Sequence, residues 1–254
     1  MLVKVISDLH GAVERIPAAA AGCDRLVVLG DLINVLDYRT MDGILPDIFG
    51  KEPVAHAASL RSQGRFHEAR EHIRKHAPEG LDIRAKMAEL AAEQYARVFE
   101  VLPEGTIVTY GNVDIPDLLR SLLPDTITFV ETGTFELAGL RWGIVGGGVR
   151  TPLGLPSELD DDQHATRLES LGDVDVVGTH MPPRIPWLCY DTVARKFEPG
   201  NEPLIAYIQE HQPRYSLFGH VHQALASRGL IGNTQLVNVG HFQADGRGWT
   251  YEGG

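Results

Sequence analysis

The stretch Leu26-Val27-Val28-Leu29-Gly30-Asp31 decides the fold: a short apolar, β-branched run that ends in a glycine and then in a carboxylate. Such a run reads as a buried strand. The glycine lets the backbone turn at the sheet edge with no side chain in the way, and Asp31 is the first polar group beyond that edge. In open α/β sheets, ligands bind in this position, outside the carboxyl ends of the strands. The figure recurs along the chain. Residues 3–6 run into Ser7-Asp8-Leu9-His10, residues 106–110 into Gly111-Asn112, residues 174–178 into Thr179-His180, and residues 215–218 into Gly219-His220-Val221-His222.

Working outward, residues 12–21 read as an Ala-rich helix stopped by Gly22. With its flanking strands it makes a βαβ unit, so those two strands should be parallel neighbours. From about residue 35 to 102 the pattern changes to a helical insertion. Pro46, Gly50 and Pro53 break its first part, and residues 55–76 and 83–102 show helical spacing on either side of Pro78-Glu79-Gly80. The first of these helices carries Arg61, Arg65, Arg70, Arg74 and Lys75, which read either as a solvated face or as a cap that brings cations to a substrate. Residues 127–130, 134–137 and 141–145 read as three antiparallel strands. Ser157 with Asp160 has the spacing of a capping box for a helix to about residue 171. The organisation expected is one domain, 1–254, with the insertion at about 35–102.

A chain of 254 residues can bury a sizeable core, and 43% hydrophobic with 22% charged residues is ordinary for a soluble globular protein. No apolar run has the length of a membrane span, and the N-terminus reads as a strand rather than a signal peptide. Cys23 and Cys189 are too few for a disulfide framework and read as buried thiols, so a cytoplasmic protein is expected. The formal net charge of −11 argues against a nucleic-acid partner, which needs clustered Lys and Arg. A small anionic substrate is compatible with it, as is a homo-oligomer.

The side chains just past the strand ends are Asp8, His10, Asp31, Asn112, His180, His220 and His222. All seven can coordinate a divalent metal through oxygen or imidazole nitrogen. That mixture suits Mn²⁺, Fe, Zn²⁺ or Ni²⁺ and is poor for Ca²⁺. Seven donors are too many for one catalytic ion with open positions. Two ions sharing a carboxylate, roughly 3.5–4 Å apart as in two-metal hydrolases, fit better.

The ordered series Asp8-x-His10, Gly30-Asp31, Gly111-Asn112, His180 and Gly219-His220-x-His222 resembles the calcineurin-like metallophosphoesterase superfamily. The resemblance implies an α/β fold, a four-layer α-β-β-α sandwich of two mixed sheets. It implies two divalent metal ions, Mn²⁺ first among them. Asp8, His10 and His222 would hold one ion, Asn112, His180 and His220 the other, with Asp31 bridging. The activity implied is hydrolysis of a small phosphate ester by a metal-bridging hydroxide.

Two positions depart from the family pattern. Asn34 stands where a second Asp usually follows Gly-Asp, and Val113 stands where Gly-Asn is usually followed by a His. Enzymes that keep that His use it on a phosphate oxygen or the leaving group. Both departures resemble a phosphodiesterase subgroup, so a phosphodiesterase is expected. The alternatives are a phosphomonoesterase or phosphoprotein phosphatase, and a non-catalytic scaffold on the same fold.

Asp114, before Ile115-Pro116, reads as a helix N-cap and as a candidate proton donor. Arg150 and Arg184 follow loops expected to flank the site and are candidate phosphate ligands, with Asn112 as a further substrate contact. His241 ends another strand with nothing to pair with in the motif set, and His164 reads as exposed on a helix.

Overall fold

A computed structural model describes residues 1–253. Two large sheets face each other. In the first, the strand order is Trp249–Glu252, Leu2–Ile6, Arg25–Leu29, Ile107–Thr109, Thr128–Phe129, parallel throughout except for the antiparallel edge Trp249–Glu252. In the second, the order is Arg228–Ile231, Thr234–Asn238, Tyr215–Phe218, Val176–Thr179, Leu140–Val145, Thr132–Leu137, with a parallel centre and antiparallel edges.

Period-two alternation sorts the strand side chains into layers. Val3, Val5, Val27 and Leu29 point inward, where they meet Trp142, Ile144, Val176 and Leu217 from the second sheet. Leu26, Val28 and Val108 point outward against Ile16, Ala91, Tyr95 and Val98. On the opposite outer face, Val145, Val177 and Phe218 pack against Leu168, Leu204 and Ile208. Strands buried on both faces read as unbroken apolar runs, and the result is the four-layer α-β-β-α sandwich.

Several local expectations change. The helix expected over 12–21 is a 3₁₀ turn, Val13–Arg15, followed by the short helix Ile16–Ala20. The helix expected over 55–76 is two, Lys51–Ser62 and Phe66–Lys75, with Gly64 at φ 74° in the break between them. Thr128–Phe129 is not part of an antiparallel trio. It lies parallel to Ile107–Thr109 in the first sheet, while Thr132–Leu137 and Leu140–Val145 form a hairpin in the second. Of the two thiols, Cys189 is buried and Cys23 only half-buried, and neither is in a disulfide. No helix among the described residues is long and apolar enough to cross a membrane.

The long helix Ile83–Val101 lays Ala91, Tyr95 and Val98 on the first sheet. Asp82 caps it, accepting from the Ala85 N–H at 3.0 Å. The basic helix Phe66–Lys75 packs on Lys51–Ser62 through Ala57, Leu60 and Ala69. Two of its cations pair locally, Arg65 with Glu68 and Arg74 with Glu71, as expected of a solvated face. Arg70 instead donates to the carbonyls of Pro152 and Leu153.

Candidate metal centre

All seven side chains at the strand ends converge on one edge of the sandwich. The first sheet delivers Asp8, His10, Asp31 and Asn112, and the second delivers His180, His220 and His222. Backbone bonds tie the loops together: the Asp8 N–H donates to Gly30 O at 3.1 Å, His10 N–H to Asp31 O at 2.9 Å, and Gly219 N–H to His180 O at 3.0 Å. The His220 N–H crosses between sheets to Asp8 Oδ2 at 3.1 Å. Asp8 (φ 59°), His10 (42°), Asp31 (52°) and His220 (67°) all adopt left-handed backbone conformations. Such conformations cost energy in residues other than glycine, and they persist where packing over-determines them, which is common at functional sites. Gly111 has no alternative residue, because a Cβ there would collide with Asp31 Oδ1.

Asp31 lies between two groups of donors. Its Oδ2 is 3.8 Å from His10 Nε2 and 3.4 Å from His180 Nε2, and its Oδ1 accepts from the Val113 N–H at 3.1 Å. On one side, His10 Nε2 is 3.1 Å from His222 Nε2, which is 3.4 Å from Asp8 Oδ1. On the other, Asn112 Oδ1 is 2.9 Å from His180 Nε2 and 2.8 Å from His220 Nδ1. Metal–ligand bonds of about 2.1 Å give polyhedron edges of roughly 3.0–3.5 Å. Three of these six donor separations fall in that range, the two at Asn112 Oδ1 are slightly shorter and the one from Asp31 to His10 is slightly longer.

The donor chemistry itself calls for a positive charge. His180 Nδ1 donates to Leu29 O at 2.9 Å, so Nε2 is the atom turned toward Asn112 Oδ1 and Asp31 Oδ2. In a neutral ring that would bring three lone pairs together with no proton between them. Without an ion, protonation meets the need: burial opposes the charge, but Asp31 and its hydrogen bond outweigh burial and raise His180 to about 9. At Asp31 burial is likewise outweighed, and His180 and His10 hold the carboxyl down at about 2. Burial, with the charge on His180, lowers His220 to about 4. Burial also lowers His10. These residues fit a pair of divalent cations, which would take the place of the proton on His180.

The shifts give a pH profile for the ion-free protein. His180 is raised from 6.5 to about 9, so its contribution is complete below 6.5 and lost as pH rises toward 9. His220 is lowered from 6.5 to about 4, so its contribution is present above 6.5 and lost as pH falls toward 4. Stability of the ion-free protein, measured by urea unfolding, should therefore fall by on the order of 3 kcal/mol as pH rises from about 6.5 to 9. Between about 6 and 4 the loss at His220 is opposed by Asp114, raised from 3.8 to about 6 and so most favourable at low pH.

Asp114 does not cap a helix. The helix is Pro116–Leu122, with Ile115 as its N-cap residue and no side-chain cap bond. Asp114 is buried instead, and its carboxylate accepts from the N–H groups of Asp31 (2.8 Å), Leu32 (3.1 Å) and Gly111 (2.8 Å) and from Tyr95 Oη (3.1 Å). Burial and the Asp31 charge raise it to about 6. With four donors to serve, its oxygens are turned to holding the two ligand loops together rather than toward a leaving group. The Val113 side chain packs into the apolar core, so no donor enters the site from that position.

Arg150 and Arg184 are exposed and line one cavity of about 520 Å³, together with Val149, Phe197 and Glu198. None of the seven donors lines this cavity; the link to the donor cluster is Gly148, which precedes Val149 and packs on the Asn112 side chain. Asn34 sits on the other flank, lining a cavity of about 250 Å³ with His10, Gln94 and Arg97.

Several side chains that support the site carry little signal in the sequence. Gln94 reaches from the insertion to the Asn34 backbone, accepting at 2.6 Å and donating at 3.2 Å. Tyr95 supports Asp114. Ser157 is not a helix cap: the box is Asp160 with Gln163, and Ser157 Oγ donates to Asn112 O at 2.6 Å. His241, unpaired in the motif set, stacks on His222 with ring centroids 3.7 Å apart. His164 is buried rather than exposed, bonded to Gly148 O at 3.3 Å and Asn201 at 3.1 Å. A helix end facing the core is not visible in a polar sequence context.

No protein-family model and no curated protein sequence matches the chain. Solved structures do. The protein TT1561 of Thermus thermophilus superposes with a TM-score of 0.50 at 16% identity, covering 95% of this chain and 90% of that one, which shows a shared fold. A structure described as a novel archaeal phosphodiesterase matches at TM-score 0.40 and 14% identity over 97% of this chain and 88% of that one. A purple acid phosphatase from yellow lupin matches at 0.41 and 11%, over 95% of this chain and 44% of that one.

Proposed function

We propose that this chain is a metal-dependent phosphoesterase of the calcineurin-like kind, acting on a small phosphodiester. The observation that carries the proposal is the convergence of seven oxygen and imidazole donors around Asp31, with three lone pairs at His180 that a proton or a metal ion must separate. Asp8, His10 and His222 would hold one divalent ion and Asn112, His180 and His220 the other, with Asp31 shared. Mn²⁺ is the preferred ion, with Fe, Zn²⁺ and Ni²⁺ as alternatives of similar ligand taste. When bound, such a pair offsets negative charge on phosphoryl oxygens and makes water more acidic.

The chain's own residues define the rest. Asp31 is held by Val113 N–H and Asp114 so that one oxygen faces both donor groups. Arg150 and Arg184 line the larger cavity together with Asp160, Asp161 and Glu198, and each would have to leave its acidic partner, Asp160 or Glu202, to hold an anionic substrate. A cavity of that volume suits a small molecule, and the acidic balance of the chain supports the same substrate size. The two free thiols support a reducing, cytoplasmic setting.

The test is hydrolysis of a bis-aryl and a mono-aryl phosphate after Mn²⁺ loading, with metal content measured in parallel. We expect two ions per chain and preferential turnover of the diester. Equal turnover of both esters would overturn the preference for diesters, and fewer than one ion with no hydrolysis would make it a scaffold. Because Val113 supplies no proton, the rate across a series of aryl leaving groups should fall steeply as their pKa rises. A flat series with chemistry rate-limiting would mean that another group donates.

A further inference from the structure

His241 lies outside the motif set, yet it is among the most committed side chains of the site. It follows the strand Thr234–Asn238, and Asn238 anchors its loop by donating to Val221 O at 2.9 Å and accepting from the Gly240 N–H at 2.9 Å. The ring is 6% exposed, lies flat on His222 (3.7 Å, 15°) and stands edge-on to His10 (5.8 Å, 83°). One nitrogen from each of His10, His222 and His241 lies within 4.8 Å of the other two.

Its protonation pattern follows from its partners. Gln243 donates through Nε2 to His10 O at 3.5 Å, so its Oε1 is the atom that meets His241 Nε2 at 3.2 Å. His241 Nε2 therefore carries the proton and Nδ1 carries the lone pair. That Nδ1 is buried and has no partner among the described residues. A buried acceptor without a donor is a sign of a group still to be bound.

Direct ligation to the ion on His222 is disfavoured by the stack. Two rings lying flat on each other cannot both aim in-plane lone pairs at one ion. A water molecule held by that ion has no such restriction.

We propose that His241 is an outer histidine of the metal centre: its Nδ1 accepts a hydrogen bond from water held by the ion on the Asp8–His10–His222 side, and its ring fixes His222 by stacking. This rests on the metal centre proposed above. Partners of this kind typically contribute a factor of about 10–100 to metal affinity.

The test is Mn²⁺ titration of the chelator-stripped protein by calorimetry, with water-proton relaxation reporting the solvent on the ion. His241→Phe keeps a ring over His222 and removes the acceptor. His241→Asn places an oxygen near the position of Nδ1. We expect His241→Phe to weaken one of the two binding steps by about 10–100-fold, with a changed relaxation signal and an unchanged unfolding midpoint of the ion-free protein. His241→Asn should recover most of that loss. Two tight ions in wild type and in both variants would overturn the role of His241 alone, as would equal losses in both variants. A wild-type protein that binds no ion would overturn the metal centre and this role with it.

Discussion

Asp31→Asn should remove at least about 10³-fold of the metal-dependent hydrolysis, measured as kcat with saturating Mn²⁺ and an aryl phosphodiester. The substitution keeps the shape of the side chain but replaces a carboxylate oxygen with an NH₂ group or turns it away. In the wild-type chain Oδ2 faces His10 Nε2 at 3.8 Å and His180 Nε2 at 3.4 Å. An amide cannot serve two cations from that position, and it removes one of the negative charges that would hold them close together. Breaking one partner of a buried charge arrangement costs about 3–5 kcal/mol, and about 4 kcal/mol corresponds to a thousandfold in rate. Metal content should fall below two ions per chain in the same preparation. Full activity with full metal content in the Asn variant would show that Asp31 is not shared between ions.

Asp114→Ala should be the most destabilising single substitution at the site, costing about 3–5 kcal/mol in urea unfolding of the ion-free protein. The carboxylate serves three backbone N–H groups and the Tyr95 hydroxyl, all buried. Each donor left unmet costs about 1–3 kcal/mol, less whatever a water entering the space recovers. Against a typical total of about 5–15 kcal/mol, that is a large share. The magnitude discriminates between two roles, because loss of a simple helix cap would cost only about 1 kcal/mol. Tyr95→Phe removes a single donor and should cost correspondingly less. A cost near 1 kcal/mol for Asp114→Ala would return the residue to a capping role.

The parts of this molecule that repeat were legible in the sequence. Strands buried on both faces write unbroken apolar runs such as residues 26–29, and a polar residue after a glycine marks where such a run leaves the sheet. That signal marks Asp31, Asn112 and His220, and the polar endings Ser7-Asp8 and Thr179-His180 of two further apolar runs mark Asp8 and His180. What it could not carry is the partner of a residue far away in the chain. Asp114 looked like a cap because Ile115-Pro116 follows it, yet three of its four donors lie on Asp31, Leu32 and Tyr95. Ser157 looked like a cap for the helix after it and turned out to hold the carbonyl of Asn112. His164 sits among polar neighbours in sequence and His241 between Gly240 and Phe242, and only the folded chain shows that both are buried. The division of strands between sheets was hidden for a related reason. Residues 128–129 and 132–137 are separated by only a turn, but one joins Ile107–Thr109 while the other pairs with Leu140–Val145.

The donors are divided between the layers: Asp8, His10, Asp31 and Asn112 come from one sheet, and His180, His220 and His222 from the other. Any ion bound here is therefore a rivet through the sandwich, since each of the two donor groups includes residues from both sheets. Metal supply then becomes a setting of mechanical cohesion as well as of chemistry. By mass action, free ion at a hundred times its dissociation constant would add about 2.7 kcal/mol to the resistance of the folded chain to opening. Starvation for the ion would loosen the seam between the sheets at the edge where substrate enters, while Trp142 and its apolar neighbours continue to hold the interior.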